Sequence, residues 1–225
     1  MRCATSATGA RQANMRPEPF IQGTSAVEAK TIEFFWDPAS PYTYLAATQI
    51  DALAQRCDAR IEWKPFLIGK TFEATGNKPP VTVPAKGKYM GRDLRLWAKY
   101  YGVPFWFPRV FPVNSIAALR VACALPPEQA GRWALAVMTA YWTKDVDISQ
   151  PDTLKTIAAG LELDGEALLA AAQTAEVKDR LRANTEEAVQ RGAFGAPTFF
   201  VGEQMFWGND RLVLLEAYVS GKLAG

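Results

Sequence analysis

The sequence predicts an α/β protein in which a strand–helix–strand unit and a helix–strand–strand–helix unit enclose a long all-helical insert. Three observations carry this. An apolar run, Ile32 to Trp36, stops at Asp37-Pro38-Ala39-Ser40-Pro41, and a helical pattern follows at once. Residues from about 68 to 175 show helical periodicity without a clear strand. The segment Gly192-Ala193-Phe194-Gly195-Ala196-Pro197 then breaks a helix and leads into two short apolar runs and a final helix.

Thr31 to Trp36 reads as a buried strand because it is short, continuous and apolar. Pro41 suits the first helical position, so Ser40 falls at the N-cap. Tyr44, Leu45, Ala47, Thr48, Ile50, Leu53 and Ala54 give the helix Pro41 to Arg56 one apolar face. Ala59 to Phe66 alternates Ile61 and Trp63 with Arg60 and Glu62 and reads as a second strand. The simplest link between the two strands is a right-handed parallel crossover. Lys70 to Pro84 contains Gly76, Pro79, Pro80 and Pro84 and is expected to be a non-helical loop.

Lys86 to Tyr101 is expected to be a helix ended by Gly102 and Pro104, and an aromatic, Pro-rich loop follows to Pro112. Asn114 or Ser115 is expected to cap a helix through about Leu125, and Pro126-Pro127-Glu128 opens another through about Trp142. Shorter helical patterns cover Asp152–Ala159, Gly165–Ala172 and Ala175–Arg191. Thr198–Val201 and Met205–Trp207 read as strands around a turn, and Gly208-Asn209-Asp210 as the cap of a last helix to about Gly221. This is the element order of a thioredoxin-like fold with an all-helical insertion. Residues 29–67 and 176–225 form the thioredoxin-like domain, and residues 68–175 form the insertion.

Composition narrows the chemistry. The 225 residues are 49% hydrophobic and 21% charged, as in ordinary soluble domains. The net charge of +2 comes without a basic block, so no nucleic-acid partner is expected. No apolar run is long enough to span a bilayer, so no membrane partner is expected either. The chain has no histidine, which excludes a Ser–His–Asp hydrolase, a Cys–His protease and every His-ligated metal site. Cys3, Cys57 and Cys123 form no C-x-x-C, which argues against dithiol redox chemistry and against a metal site. Cys57 and Cys123 read as small buried apolar side chains. An odd, widely spaced set of cysteines fits a reducing, cytoplasmic compartment. Residues 1–28 have no acid before Glu18 and no compact apolar core of a signal peptide. They read as a disordered extension outside the fold; Met15 is a second candidate start, and an acid-poor, Arg-containing segment also mimics a transit peptide.

Ser40 is the residue on which a function turns. A hydroxyl at the start of a helix lies beside free N–H groups and the positive end of the helix dipole, a favourable place for an anion such as a thiolate. Taken alone, the same residue is fully explained as an N-cap.

The segment Phe34-Phe35-Trp36-Asp37-Pro38-Ala39-Ser40-Pro41-Tyr42-Thr43-Tyr44-Leu45-Ala46 resembles the active-site segment of 2-hydroxychromene-2-carboxylate isomerases and kappa-class glutathione transferases. That family is related to DsbA-type oxidoreductases but has Ser where the redox Cys would stand. Lys64-Pro65-Phe66-Leu67-Ile68-Gly69, Thr75-Gly76-Asn77-Lys78-Pro79-Pro80 and Lys86-Gly87-Lys88-Tyr89-Met90 follow in the family's order. Phe107-Pro108 and Phe111-Pro112-Val113-Asn114 also fit its insertion. Gly192 to Phe199 and Phe206-Trp207-Gly208-Asn209-Asp210-Arg211-Leu212 match its C-terminal half. The departures are mild: Ala39 stands where a bulkier or hydroxylated residue is frequent, and Asn209 where Ser or Gln is common.

The resemblance implies glutathione as cofactor and a small aromatic substrate, in a homodimer of aromatic catabolism. Ser40 is implied as the thiolate partner, with Pro41 and Tyr42 beside it. Ala196-Pro197 is implied to be a cis-Pro loop whose Ala196 backbone pairs with the cysteinyl residue. Asn209 and Asp210 are implied to take the γ-glutamyl end, while Asn77 and Lys86 on the opposite wall meet the peptide or the glycine carboxylate. On their own residues, Asp210 needs to be no more than a helix cap, and Asn77 and Lys86 no more than solvated loop residues. Tyr89, Phe105, Trp106, Phe107 and Phe111 either line an apolar substrate pocket or pack the insert. The activities implied are a cis-trans isomerase, or a kappa-like transferase or peroxidase. A non-catalytic thioredoxin-like module that holds peptides at Pro197 is the reading outside enzymes.

Overall fold

Strand β1 (Lys30–Trp36) takes a central place in the sheet because it is apolar on both faces: Ile32, Phe34, Phe35 and Trp36 are all fully buried. The computed structural model describes residues 30–223, so the expectation for residues 1–28 and Cys3 lies outside the described residues. The four strands run in the order β2-β1-β3-β4. β2 (Ala59–Pro65) is parallel to β1, with Ile32 opposite Ile61 and Phe34 opposite Trp63. β3 (Thr198–Val201) is antiparallel on the other side, with Phe34 opposite Phe199, and β4 (Gln204–Trp207) is antiparallel to β3. Helix α1 (Pro41–Arg56) connects β1 to β2. This mixed sheet is that of the thioredoxin-like fold.

Side-chain alternation along β1 divides its neighbours into two sets. Ile32, Phe34 and Trp36 join a core shared with α1 and with Trp133, Met138 and Tyr141 of the helical segment. Phe35 points the other way and packs with Phe66, Ala188 and Phe200. Glu33 shares that second face, where it accepts from Arg191 at 2.9 and 2.7 Å and from Lys64 at 2.9 Å. Burial alone would raise the Glu33 carboxyl; the hydrogen bonds from Arg191 and Lys64 outweigh it and hold the group below its usual range. Arg191 in turn lies 3.9 Å from the centre of the Phe200 ring.

The segment after β2 corrects the sequence. Residues 70–84 are not a non-helical loop: α2 covers Ile68–Thr75 and a 3-10 turn covers Pro80–Thr82. The breakers sit at element ends and not within them. Gly76 closes α2 in the left-handed region at φ 70°, Pro80 opens the 3-10 turn, and Pro84 opens α3 (Pro84–Tyr101). Thr71 and Thr75 turn their hydroxyls back to carbonyls four residues earlier, so neither competes with the helix.

The rest of the insert is α4 (Ile116–Ala124), α5 (Pro127–Lys144), α6 (Pro151–Gly160) and α7 (Gly165–Ala171), and α8 (Ala175–Gln190) leads back to the sheet. Of the two expected caps of α4, Ser115 stands at the N-cap position without a side-chain cap bond, and Asn114 Oδ1, one residue before it, accepts from Ile116 N at 3.1 Å. The Ser115 hydroxyl bonds the Asp37 carboxyl instead. The last helix also starts later than expected. Asn209–Arg211 is a 3-10 turn, α9 runs from Leu212 to Val219, and Asp210 does not cap it.

Candidate functional site

The turn between β1 and α1 is held from beneath by Asp37. This residue is 1% exposed, accepts from Ala39 N at 2.9 Å and Ile68 N at 3.0 Å, and also takes the Ser115 hydroxyl. Burial raises its carboxyl above the usual range, against the pull of those donors. Ser40 N donates to the Asp37 carbonyl at 3.1 Å, and Trp142 Nε1 donates to the Pro38 carbonyl at 2.8 Å. Every residue of the turn except Pro41 is therefore tied by a named bond or lies beside one.

Ser40 is the N-cap that the sequence predicts: its backbone is extended (φ −95°, ψ 120°) and its Oγ accepts from Thr43 N at 3.3 Å. The same Oγ donates its proton to the Ala196 carbonyl at 2.9 Å. The Ala196–Pro197 peptide is cis, which brings that carbonyl against the start of α1. Pro41 has no N–H and Thr43 N–H is taken, which leaves Tyr42 N–H as the open donor of the first turn among the described residues. Ala196 N–H likewise has no partner among the described residues.

The other expected site residues fall into separate places around this turn. Asn77 Nδ2 donates to the Phe194 carbonyl at 2.8 Å, two residues before Ala196. Lys86, in the first turn of α3, borders a groove of about 360 Å³ with Tyr42, Tyr89 and Met90. Asp210 is half exposed and pairs with Arg211 at 2.8 Å. Gly208 turns the chain just before it at φ 105°, and a Cβ there would collide with the Asp210 carboxylate. Asn209 is buried, its amide nitrogen has no partner among the described residues, and its backbone carbonyl accepts from Tyr101 Oη at 3.2 Å. Phe107 packs on Phe111 and Trp142, whereas Trp106 makes no ring contact among the described residues. Its backbone N–H reaches the Trp142 carbonyl at 2.6 Å.

Four residues of this arrangement were not singled out by the sequence: Asp37, Asp93, Tyr101 and Trp142. Asp93 accepts from Tyr42 Oη at 2.8 Å and from Tyr89 Oη at 3.3 Å. Burial, then the Asp93 carboxylate, pushes the Tyr42 phenol well above its ordinary range, so Tyr42 stays a protonated donor. The Tyr89–Asp93 spacing of four on one helix was the readable signal for this pair. Trp142 and Tyr101 left no local signal. Cys57 and Cys123 are buried as expected of small apolar side chains, and burial pushes the Cys123 thiol up to about 12.

Comparison with known proteins gives the same fold. Residues 31–220 match the DSBA-like thioredoxin domain. The chain is 37% identical over 194 residues to 2-hydroxychromene-2-carboxylate isomerase of Sphingobium xenophagum, covering 84% of this chain and 98% of that one. It is 30% identical over 211 residues to human glutathione S-transferase kappa 1, covering 87% and 93%. Superposition on a solved 2-hydroxychromene-2-carboxylate isomerase gives a TM-score of 0.79 at 28% identity, over 86% of this chain and 96% of the other.

Proposed function

The chain belongs to the DSBA-like thioredoxin family, and on that premise we propose that it is a glutathione-dependent cis-trans isomerase of 2-hydroxychromene-2-carboxylate or a similar aromatic-degradation intermediate. The observation that carries the reading is Ser40, a hydroxyl at the N-terminus of α1 and against the cis-Pro loop. Related disulfide chemistry needs a cysteine there; an alcohol can bind a sulfur anion but cannot form a disulfide with it.

The residues present fit glutathione. Among the described residues Ala196 N–H and Tyr42 N–H are open donors and the buried Asn209 amide nitrogen lacks a partner, and the ligand's charged ends have candidate partners in Asp210 and Lys86. When bound, the tripeptide supplies a thiolate for reversible addition to the conjugated double bond, the chemistry that allows rotation without net consumption. Ser40 supports it by swinging its O–H from the Ala196 carbonyl to the sulfur, a rotation about one bond. The hydroxyl, Tyr42 N–H and the dipole of α1 together lower a thiol pKa by about 1–2 units. Ala196 N–H pairs with the cysteinyl carbonyl, Asp210 takes the γ-glutamyl ammonium, and Lys86 takes the glycine carboxylate. Asn77 holds the Phe194 carbonyl beside them. Tyr89, Trp106 and Phe107 face the aromatic substrate. No step asks for a strong protein base, in keeping with a chain that has no histidine.

A spectrophotometric assay with the chromene acid tests the proposal: isomerisation that requires glutathione and leaves its concentration unchanged is expected. Glutathione consumed with an electrophile, and no isomerisation, would favour the kappa-like transferase or peroxidase, a reading supported by the human relative. No saturable glutathione binding would leave the peptide-binding module. A homodimer in the cytoplasm completes the proposal, and light scattering checks its mass. No described helix is long and apolar enough to cross a membrane.

A further inference from the structure

We infer that the groove between α2, α4 and α8 is a second ligand site, one that takes a small aliphatic carboxylate. Its volume is about 570 Å³, larger than the groove beside Tyr42. Leu67, Leu181 and Val189 give it an apolar lining. Arg120 of α4 lines it too, and the Arg120 Nε is buried without a partner among the described residues. A buried guanidinium N–H left unpaired is costly, and a ligand that accepts from it removes the cost. The groove is held open between fixed walls: Arg180 Nη1 of α8 donates to the Cys123 carbonyl of α4 at 2.7 Å.

The chemistry of the lining selects the ligand. Lys178 borders the groove and makes no ion pair among the described residues. Lys70 and Arg182 also border it, but each already holds an acid of its own helix, Glu73 at 2.7 Å and Asp179 at 2.8 Å. Two cations are therefore open to an anion. Glu186, also on the lining and 4.0 Å from Arg182, opposes an anion of high charge and so favours a single carboxylate. A carboxylate accepts side-on from Nε–H and a neighbouring Nη–H of one guanidinium. None of the lining residues is aromatic, so the body that fits is an alkyl chain and not the flat ring of the substrate proposed above. The inference does not rest on that proposal.

Titration of the full chain with octanoate, using 1-octanol as the uncharged match, tests it. Calorimetry should give one saturable site with a Kd below roughly 1 mM, and octanol should bind at least ~10-fold more weakly. Backbone amide shifts should move at Leu67 and Thr185, whose Oγ1 accepts from Leu67 N at 3.0 Å, and not at Tyr42 or Asp210. Arg120→Met should weaken octanoate about 10-fold or more, and Lys178→Ala about 3-fold, with glutathione-dependent isomerisation within about twofold of the parent. Ser40→Ala should leave octanoate binding unchanged. Should Arg120→Met misfold by circular dichroism, the rim variant Lys178→Ala carries the test. Absence of saturation, equal binding of octanol, shifts centred on Tyr42, or octanoate affinity unmoved by a folded Arg120→Met or by Lys178→Ala would each overturn the inference.

Discussion

Ser40 and Ala196 are buried and bonded to each other, whereas Tyr89, Trp106 and Phe107 stand 66%, 60% and 42% exposed. Both groups converge on one turn. The first is carried by strands and by α1, with Ser40 Oγ bonded both to Thr43 N and to the Ala196 carbonyl. The second comes from the helical insert, which is tied to the turn and to α1 through other residues: Trp142 Nε1 on the Pro38 carbonyl, Ile68 N on Asp37, and Asp93 between Tyr42 and Tyr89. The difference assigns separate duties. On the proposed function, position is over-determined where the thiolate would be held, and loosely determined where a varied apolar body would be admitted. Changes on the sheet-borne wall should therefore alter rate or folding, and changes on the insert wall should alter substrate choice.

The largest test of that division is Ser40→Ala. Turnover should fall about 10²-fold with glutathione binding retained, on the scale of removing one donor to a developing anion. The lost cap should cost stability by about 1 kcal/mol, read as a shift in denaturant midpoint. A rate that does not change would break the comparison at its centre. Next comes Glu33→Gln, on the far face of the same strand. It removes one of the two carboxylates that Lys64 and Arg191 share, with Glu187 still bonded to both at 2.6 and 2.9 Å, and the expected loss is about 1–2 kcal/mol in urea unfolding.

Glu33 also predicts a pH dependence. Its folded carboxyl titrates below the ordinary value of 4.5, so its stabilisation is present above pH 4.5 and is lost as the pH falls through the lowered value. Unfolding curves of the parent should weaken below pH 4.5, and the Gln variant should be flatter there. Asp210→Ala should raise the glutathione Kd about 10-fold, as for a lost charged hydrogen bond, with folding little altered. The smallest effect belongs to Phe107→Ala. KM for the aromatic substrate should rise roughly 3- to 10-fold while glutathione affinity and melting temperature hold. A drop in melting temperature comparable to that of Glu33→Gln would erase the distinction between the walls.

The parts of this molecule that were readable in the sequence are those governed by local rules. The strands Ile32–Trp36 and Thr198–Val201 are short apolar runs with sharp ends, and Ser40-Pro41 is a cap followed by a helix start. α2 was hidden because Gly76 and three prolines crowd a short stretch, and composition over the stretch does not say that each breaker stands at an end. Asp210 was misplaced as a cap because an acid just before an apolar helical run satisfies the local rule, while Asn209–Arg211 forms a 3-10 turn that follows Gly208 at φ 105°. Asp37, Tyr101 and Trp142 act through partners 31 to 108 residues away, and periodicity carries no trace of such bonds. The order of motifs that resembles a known family supplied what local rules lacked, including the cis peptide at Ala196–Pro197.

Asp37 gathers one donor from its own turn, Ala39, and two from remote stretches of chain, Ile68 and Ser115. An engineer who trims the protein to its strands and flanking helices, by deleting 68–175, would remove two of those three donors together. The carboxyl would lose both, Trp142 would leave the Pro38 carbonyl, and the bend that presents Ser40 would lose its anchor. The helical segment is thus a keystone for the reacting end of the molecule, and any grafted or shortened version must bring along a replacement for both bonds.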